Sequence, residues 1–189
     1  DYVTLPNLPY GDDPNNKWVS YYFRRTFVLN EDPSNIGTLR IGFNYDDGAV
    51  VYINGVEVAR KFMPAGTITW GTLAADHESY DTYEETDITA GIPLLVGNAL
   101  NTIAVEIHQT TVTSDDLVMD LELIHSVRPV VMRGPYLQNA SSSAISVRWR
   151  SHIPSNSRVW YGSAPGSLTE TASDPAATTE HEVRILGLA

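Results

Sequence analysis

Two pairs of adjacent aspartates are the residues in this sequence best suited to bind a metal ion. Asp46 and Asp47 stand directly before Gly48, at the entrance to a predicted hairpin, and Asp115 and Asp116 precede another predicted strand. Calcium prefers carboxylate oxygens as ligands, and two such pairs repel each other unless a cation or hydrogen-bond donors lie between them. The pairs therefore predict a calcium site if the strand ends meet. The alternative is that both form turns and cap strands, which aspartate favours.

Aromatic residues in and beside the long acidic segment 74–88 are candidates for sugar binding. Trp70, Tyr80 and Tyr83 would present apolar ring faces with a polar rim, which suits the CH-rich face of a sugar. Glu78 would accept hydrogen bonds from sugar hydroxyl groups. The alternative is that these rings cover one open end of the hydrophobic core.

A pair of arginines and a histidine are further candidates for ligand contacts. Arg24 and Arg25 are adjacent in a predicted strand, so they point to opposite faces of its sheet. If one is buried, Glu106 or Asp120 on later strands would supply its carboxylate partner in a structural ion pair. Otherwise Arg24 would contact a sugar hydroxyl or a carboxylate on the concave sheet. His108 shares the parity of Glu106 and would either line that face or lie on the solvent surface.

The sequence contains no motif of a reactive site. It has no cysteine, which excludes disulfides, thiol nucleophiles and zinc–thiolate centres. It has neither a G-x-S-x-G nucleophile elbow nor a phosphate-binding P-loop. The five histidines are scattered without metal-ligand spacing. We therefore expect these residues to perform no catalysis.

The charge distribution divides the 189 residues into two parts. Residues 1–127 carry six basic and 19 acidic side chains, for a net charge of −13, whereas residues 128–189 carry six and four, for +2. Such asymmetry predicts two units. The acidic balance argues against nucleic-acid binding, which needs clustered Lys and Arg. No apolar run approaches the about 18 residues of a membrane span.

Alternation of apolar and polar residues predicts an all-β fold. Leu39, Ile41, Phe43 and Tyr45 share one face of a strand, and Asn54-Gly55 is a strong hairpin signal. Evidence for helices is weak, and the segment 74–88 has the composition of a loop. Together these signals predict an antiparallel β-sandwich. The strands are predicted at residues 19–29, 38–45, 49–53, 56–60, 67–70, 101–109 and 117–124.

A second strand series follows a short linker at residues 127–130. It predicts a second domain at residues 131–189, after a first domain at residues 1–126, with strands at 144–150, 157–162 and 181–188. About four strands are too few for a seven-stranded sandwich, so we expect a C-terminally truncated domain. Its unpaired edges would favour self-association, by swapping or edge pairing with another chain, and the alternative is that this domain is poorly ordered.

The first domain resembles the galactose-binding-like jelly-roll modules of secreted bacterial proteins and of β-galactosidase-like glycoside hydrolases. The resemblance implies a jelly-roll β-sandwich that binds carbohydrate or packs against a neighbouring domain. Its matching segments are residues 21–29 (YYFRRTFVL), 46–60 (DDGAVVYINGVEVAR), 63–66, 87–89 (DIT), 97–98, 101–109 and 114–123.

The second domain resembles the fibronectin-type-III-like N-terminal domain of purple acid phosphatases. The matching pieces are residues 133–138 (RGPYLQ), the strand with Trp149, 159–162 (VWYG) and 181–188. In that family a metallophosphoesterase domain follows, with D-x-H and G-N-H-[DE] metal motifs. Neither motif occurs here. Gly97-Asn98 continues with Ala99 instead of histidine, and Asp76-His77-Glu78 does not fit D-x-H. The resemblance implies a phosphatase parent whose catalytic domain lies outside these residues.

The sequence as a whole predicts a non-catalytic accessory region of a secreted or cell-surface hydrolase, consistent with a bacterial exported protein. Its jelly roll would bind carbohydrate or a cell-surface glycan, with calcium assisting, and its other partner would be a downstream metallophosphoesterase domain. Two alternatives stay open. The module is purely structural and orients the catalytic domain, or the activity that matters is the acid phosphatase of the parent protein.

Overall fold

The computed structural model describes residues 8–79 and 82–188, which are almost entirely β-structure. The chain forms two compact units, residues 1–127 and 128–189, and each is considered by itself. The helical content of the described residues is two short 3-10 helices, Pro33–Asn35 and Thr89–Leu94. In this part of the chain no helix is long and apolar enough to cross a membrane.

The first unit is a sandwich of two antiparallel sheets. A four-stranded sheet has the order β1-β6-β3-β4, and a three-stranded sheet has the order β5-β2-β7. The chain passes between the sheets five times, because only β3 and β4 are consecutive strands of one sheet. This alternation is that of a jelly-roll-type sandwich and confirms the predicted fold class. The strands are β1 (Ser20–Val28), β2 (Ile36–Asp46), β3 (Gly48–Ile53), β4 (Val56–Lys61), β5 (Glu84–Asp87), β6 (Leu100–His108) and β7 (Val118–Val127).

The core lies between the two sheets and follows the alternation in the sequence. Leu39, Ile41, Phe43 and Tyr45 of β2 are all at most 1% exposed. They pack against the inner face of the four-stranded sheet, which supplies Val51, Ile53, Val105 and Ile107 among others. Burial of this apolar surface drives the two sheets together. Since successive side chains of a strand point to opposite faces, the residues between them must face outward.

The Asn54-Gly55 turn joins β3 and β4 as predicted. Both residues have positive φ, 49° and 83°, as the two central positions of a type I′ hairpin require. The Asn54 side chain also donates to the Leu94 carbonyl at 2.7 Å and accepts from the Thr102 amide at 2.8 Å. It donates as well to Oδ1 of the fully buried Asn101 at 2.9 Å. These bonds tie the hairpin tip to the start of β6.

The connection after β4 differs from the prediction in two places. Residues 67–70, predicted as a strand, instead lead into a turn in which the Thr72 amide donates to the Thr69 carbonyl at 2.9 Å. The predicted loop 74–88 ends in strand β5, whose sequence EETD has no apolar alternation. Backbone pairing with β2 and the Arg40–Glu85 ion pair hold β5 at the sheet edge. Polar edge strands carry no periodic signal, and this is why the sequence pattern missed β5.

The second unit is one antiparallel sheet with the order β10-β9-β8. Its strands are β8 (Val131–Gln138), β9 (Ala144–Tyr161) and β10 (Glu170–Leu186). The two strands predicted at 144–150 and 157–162 are the two halves of β9. Arg150 pairs with Glu180, and Ser155 pairs with Thr178. Between these two pairs β9 advances by five residues, whereas β10 advances by only two. This register shift marks the break that the sequence pattern interpreted as a loop.

A buried histidine organises the middle of this sheet. His181 is 2% exposed and stacks on Trp149 with ring centroids 4.7 Å apart. The Ser151 hydroxyl donates to the Ile153 carbonyl at 2.7 Å, so it accepts from Nε2 of His181, also at 2.7 Å. Nδ1 of His181 lies 2.8 Å from the Ser157 hydroxyl oxygen. The buried ring thus has a hydrogen-bond partner at each nitrogen, which is a structural role.

Substitution of Gly48 by alanine is expected to loosen the connection after β4. An added Cβ would lie 2.6 Å from Cβ of Ala74 and 2.7 Å from Sδ of Met63, and such overpacking costs about 1–3 kcal/mol. Gly48→Ala should therefore lower the unfolding midpoint and speed hydrogen exchange at the Ala74 and Ala75 amides. Gly71→Ala is the matched control, because no atom lies within 4 Å of its added Cβ. Equal stability of the two variants would contradict this packing.

Candidate functional site

The outer face of the four-stranded sheet carries a set of residues that converge on one hollow. In the strand register, Tyr22 lies opposite Glu106, and Ala104 lies between Arg24 on one side and Tyr52 on the other. Laterally paired residues point to the same face of a sheet. Their chain neighbours Phe23, Val51 and Val105 point into the core. The tyrosines, Arg24 and Glu106 therefore face outward.

These residues line a hollow of about 400 Å³, a volume in the range of small-ligand sites. Its floor is low at Ala104, because a methyl group stands between the longer side chains of Arg24 and Tyr52. Tyr22 is 61% exposed. We call this the β6 hollow, and it is lined by Tyr22, Phe23, Arg24, Tyr52, Ala104, Val105 and Glu106.

Glu106 is held in place from two sides. Tyr52 hydrogen-bonds to its carboxylate, and Nε2 of His108 lies 3.2 Å from its Oε2. Nδ1 of His108 lies 2.8 Å from the Thr72 carbonyl oxygen. The two ring nitrogens of His108 thus lie beside the Thr72 carbonyl and the Glu106 carboxylate. Glu106 is therefore contacted by two side chains of the protein, Tyr52 and His108.

His108 itself does not line the hollow. The structure buries it fully, because the Thr69–Thr72 turn covers this end of the sheet. Of its two expected places, the concave face and the solvent surface, it occupies neither. It acts instead as a support for Glu106 and as an anchor for the connection after β4.

Tyr52 contributes a polar phenol group to the lining of the hollow. Burial raises the pKa of its phenol, and the Glu106 carboxylate raises it further, to about 12. The neutral phenol is therefore the form present at physiological pH. It remains a hydrogen-bond donor to Glu106 while its ring faces the hollow.

Arg24 and Arg25 are both exposed, so the expected buried guanidinium is absent at these positions. Glu106 is engaged by Tyr52 and His108, and Asp120 accepts a hydrogen bond from the Tyr83 hydroxyl. Neither carboxylate forms an ion pair with an arginine among the residues that the structure describes. Arg24 instead lines the β6 hollow.

The aromatic residues predicted as one platform are attached to different parts of the sandwich. Trp70 is 77% exposed on the turn that His108 anchors to the four-stranded sheet. Tyr83 contacts Asp120 on β7 of the three-stranded sheet. Tyr80 lies outside the described residues. Tyr22 and Tyr52 were not among the predicted site residues, although their outward parity in β1 and β3 was a usable signal.

The predicted aspartate pairs do approach each other, but only one residue of each pair joins the resulting group. Ligand oxygens of Asp46, Glu78 and Asp116 lie within 4.8 Å of one another. Asp115 is outside this group. Asp47 accepts from the His77 amide at 3.2 Å and from the Thr110 amide at 2.8 Å, so both of its oxygens are bound to backbone.

Asp46 is the buried member of this carboxylate group, at 4% exposed. Burial is the largest cause that raises the pKa of its carboxyl, to about 6, and the charges of Asp116, Asp47 and Glu78 add to the rise. A hydrogen bond from the Ser79 amide at 3.1 Å partly opposes it. The neutral-pH state therefore holds a buried charge close to other carboxylates.

Gln109 lies beside the same group. It is 5% exposed, and its Nε2 donates to the backbone carbonyl of Asp116. Its Oε1 is buried without a hydrogen-bond partner among the described residues. An oxygen acceptor of this kind is normally satisfied in folded proteins. The carboxylate group thus has an unsatisfied neutral oxygen next to it.

Comparison with known proteins gives distant likenesses only. No protein-family model matches the sequence, and no curated protein matches it. Among solved structures, a glycosyl hydrolase family 2 member from Bacteroides cellulosilyticus is 12% identical over 89% of this chain, with a TM-score of 0.39. The β-glucuronidase of Bacteroides uniformis is 15% identical over 92%, with 0.41, and that of Dictyoglomus thermophilum is 10% identical over 94%, with 0.39.

This chain spans 24%, 22% and 32% of those three chains, respectively. Likeness of this degree carries no argument about function, because one fold hosts many activities. The function of this chain therefore has to be argued from its own residues.

The raised pKa of Tyr52 predicts a distinct alkaline titration. The absorbance difference at 295 nm between the native chain and Tyr52→Phe should show a phenol that ionises near pH 12 rather than 10. Because the folded-state pKa is the higher one, the stability that Tyr52 contributes is complete below pH 10 and declines as the pH rises towards 12. Glu106→Gln should lower this pKa, and Glu122→Gln on the other sheet should not. A Tyr52 pKa near 10 in the native chain would refute the contact.

Proposed function

We propose that this chain is a non-catalytic carbohydrate-binding region of a larger hydrolase and that the β6 hollow is its binding site. The observation that carries the proposal is the hollow itself. An open cavity of about 400 Å³ displays two tyrosines with an arginine and a carboxylate between and beside them. Tyr22 is 61% exposed, so most of its surface is free of protein contacts. Its ring is available to a ligand.

The chemistry of the lining suits a sugar. A tyrosine ring covers the CH face of a pyranose and keeps its hydroxyl at the wet rim. Arg24 donates hydrogen bonds, whereas Glu106 accepts them, so both polarities that sugar hydroxyls require are present. Tyr52 and His108 hold Glu106 in a fixed orientation. A ligand therefore meets a preformed acceptor, and little ordering entropy is lost on binding.

The hollow lacks what hydrolysis of a glycosidic bond requires. Glycosidases use two carboxylic groups that flank the bond. Glu106 is the one carboxylate among the described residues that line the hollow, and its position is fixed by Tyr52 and His108. This supports a binding role, with the chemistry performed by another domain of the parent protein.

The kind of parent enzyme is a second part of the proposal. The resemblance of residues 131–189 to the N-terminal domain of purple acid phosphatases supports a metallophosphoesterase that acts outside the cell or at its surface. Full-length protein should then hydrolyse p-nitrophenyl phosphate, while the 189 residues alone should not. Turnover by the isolated chain would contradict the assignment of the chemistry to another domain.

We also propose that the group of Asp46, Glu78 and Asp116 binds calcium. Three carboxylates with ligand atoms within 4.8 Å of one another match the oxygen ligands that calcium prefers. The buried, unpartnered Oε1 of Gln109 beside Asp116 is a further oxygen donor of the right chemistry. A divalent cation would offset the repulsion that raises the pKa of Asp46. Glu78 and Ser79 would be fixed by it at the end of the connection after β4.

Loss of a tyrosine ring should weaken sugar binding. Affinity electrophoresis in gels that contain xylan, galactomannan, hydroxyethyl cellulose or polygalacturonate would test the native chain, with an array of cell-surface glycans beside it. Tyr22→Ala and Tyr52→Ala should lower the affinity at least about tenfold, which equals about 1.4 kcal/mol. Val28→Ala is the control for Tyr22→Ala, because Val28 is an exposed side chain of the same strand and parity that does not line the hollow. Binding that survives both tyrosine variants would place the site elsewhere. A native chain that binds no glycan would leave the purely structural role.

Calcium should stabilise the first unit. Extracellular calcium modules have dissociation constants of about 0.1–1 mM, so calcium at tenfold excess over the weaker value should stabilise by about 1.4 kcal/mol. Thermal unfolding with CaCl₂ and with EDTA measures this shift. Asp46→Asn should remove the shift and should stabilise the calcium-free protein at pH 7, because a buried charge is lost. Asp115→Asn should keep the full shift. An unchanged melting temperature in calcium would rule out the site.

A further inference from the structure

We infer that the β6 hollow recognises an acidic sugar, with the guanidinium of Arg24 binding the carboxylate of a uronic acid residue. The inference rests on the proposed function of the hollow and names its ligand class. It is carried by the position of a cation that forms no ion pair with any residue that the structure describes.

Basic side chains are rare in the first unit, and most of them are engaged. Against 19 acidic residues the unit has six basic ones. Arg40 pairs with Glu85, Arg60 with Glu57 and Lys61 with Glu84. Lys17 donates to the carbonyls of Thr113 and Ser114. Among the described residues of the first unit, Arg24 and Arg25 are the two basic side chains that form neither an ion pair nor a hydrogen bond with another residue.

The two arginines differ in what they face. Arg24 lies in the outward row with Ala104 and Tyr52 and lines the hollow. Arg25 has the opposite parity, in register with Ile103, and does not line it. The adjacent pair therefore provides one cation for the hollow and one matched position outside it.

Glu106, the carboxylate that lines the hollow, has hydrogen-bond partners other than Arg24. Glu106 accepts from Tyr52 and has the imidazole of the fully buried His108 at 3.2 Å. In the register of β1 and β6, Glu106 is paired with Tyr22 and therefore lies diagonally from Arg24. The residue paired directly with Arg24 is Ala104. A methyl group offers no charge and little bulk. The guanidinium thus borders open volume instead of an internal partner.

An uncompensated guanidinium in such a hollow selects for an anion of fitting shape. Its planar fork binds a carboxylate through two parallel hydrogen bonds, which adds orientation to the charge attraction. Two strands that flank a common neighbour, such as β1 and β3 on either side of β6, lie about 10 Å apart. Residues i and i+2 of one strand lie about 7 Å apart. A sugar whose carboxylate meets Arg24 would therefore lie between Tyr52 across the floor and Tyr22 along β1. A neutral sugar would make the ring contacts and lose the ion pair.

The net charge of −13 on the unit limits how long the ligand segment can be. Repulsion from distant carboxylates acts on every charge of a polyanion, but salt screens it beyond about 8 Å at physiological ionic strength. A short segment with its carboxylate at Arg24 experiences the local cation above all. The selectivity should therefore be clearest for oligosaccharides of two or three residues at physiological salt.

The test compares acidic trisaccharides with their own methyl esters. Calorimetry or NMR titration would use trimers of galacturonate, glucuronate and mannuronate, because esterification removes the charge and leaves the ring unchanged. The native chain should bind at least one acid form at least tenfold more tightly than its ester. Arg24→Gln should remove this preference and keep the weaker binding of the ester, whereas Arg25→Gln should retain it. Arg24→Lys should keep part of it, since a point charge lacks the fork.

The possible outcomes separate this inference from the function on which it rests. Equal binding of acid and ester, or a preference that survives Arg24→Gln, overturns the uronate assignment and leaves the sugar site intact. Tighter binding of a sulfated trisaccharide than of every uronate overturns it as well. Binding that Tyr22→Ala and Tyr52→Ala do not reduce refutes the hollow, and the inference with it.

Discussion

The alternation of side chains along strands is the constraint on which the structure of the first unit depends. Leu39, Ile41, Phe43 and Tyr45 are buried against the four-stranded sheet, and this packing fixes the register of every neighbouring strand. Phe23, Val51 and Val105 face inward. Because successive side chains of a strand point to opposite faces, their chain neighbours Tyr22, Arg24 and Tyr52 face outward. Core packing thus determines which residues line the β6 hollow, and the backbone positions of these residues are fixed by the strand pairing of the sheet.

Polar groups at the end of the sandwich are arranged at a cost in stability. Asp47 accepts hydrogen bonds from two partly buried backbone amides. Asp46 is buried among like charges instead, and only the Ser79 amide compensates it within the described residues. Local strain of this electrostatic kind is concentrated at functional sites in many proteins. Here it distinguishes two adjacent aspartates that look equivalent in the sequence.

The strand pattern could be predicted from the sequence because period-two burial leaves a direct signal. The Asn54-Gly55 turn and the apolar face of β2 were both evident. β5 was not, because its sequence EETD is held by backbone pairing rather than by apolar side chains. For the sites, the sequence identified Arg24, Asp46 and Asp116 as candidates. It could not separate Asp46 from Asp47, or assign His108 to a buried role, because these distinctions depend on long-range contacts.

Among the bonds that hold the segment 62–79 to the sandwich, two act as clamps that lie close together in sequence. The Thr72 carbonyl faces His108 at 2.8 Å, and the His77 amide donates to Asp47 at 3.2 Å. Four residues bridge these clamps, so their number cannot change without releasing one of them. Anyone who grafts a new loop here, or builds a library in it, must keep that spacing. Diversity is better introduced around Trp70, where the chain projects outward.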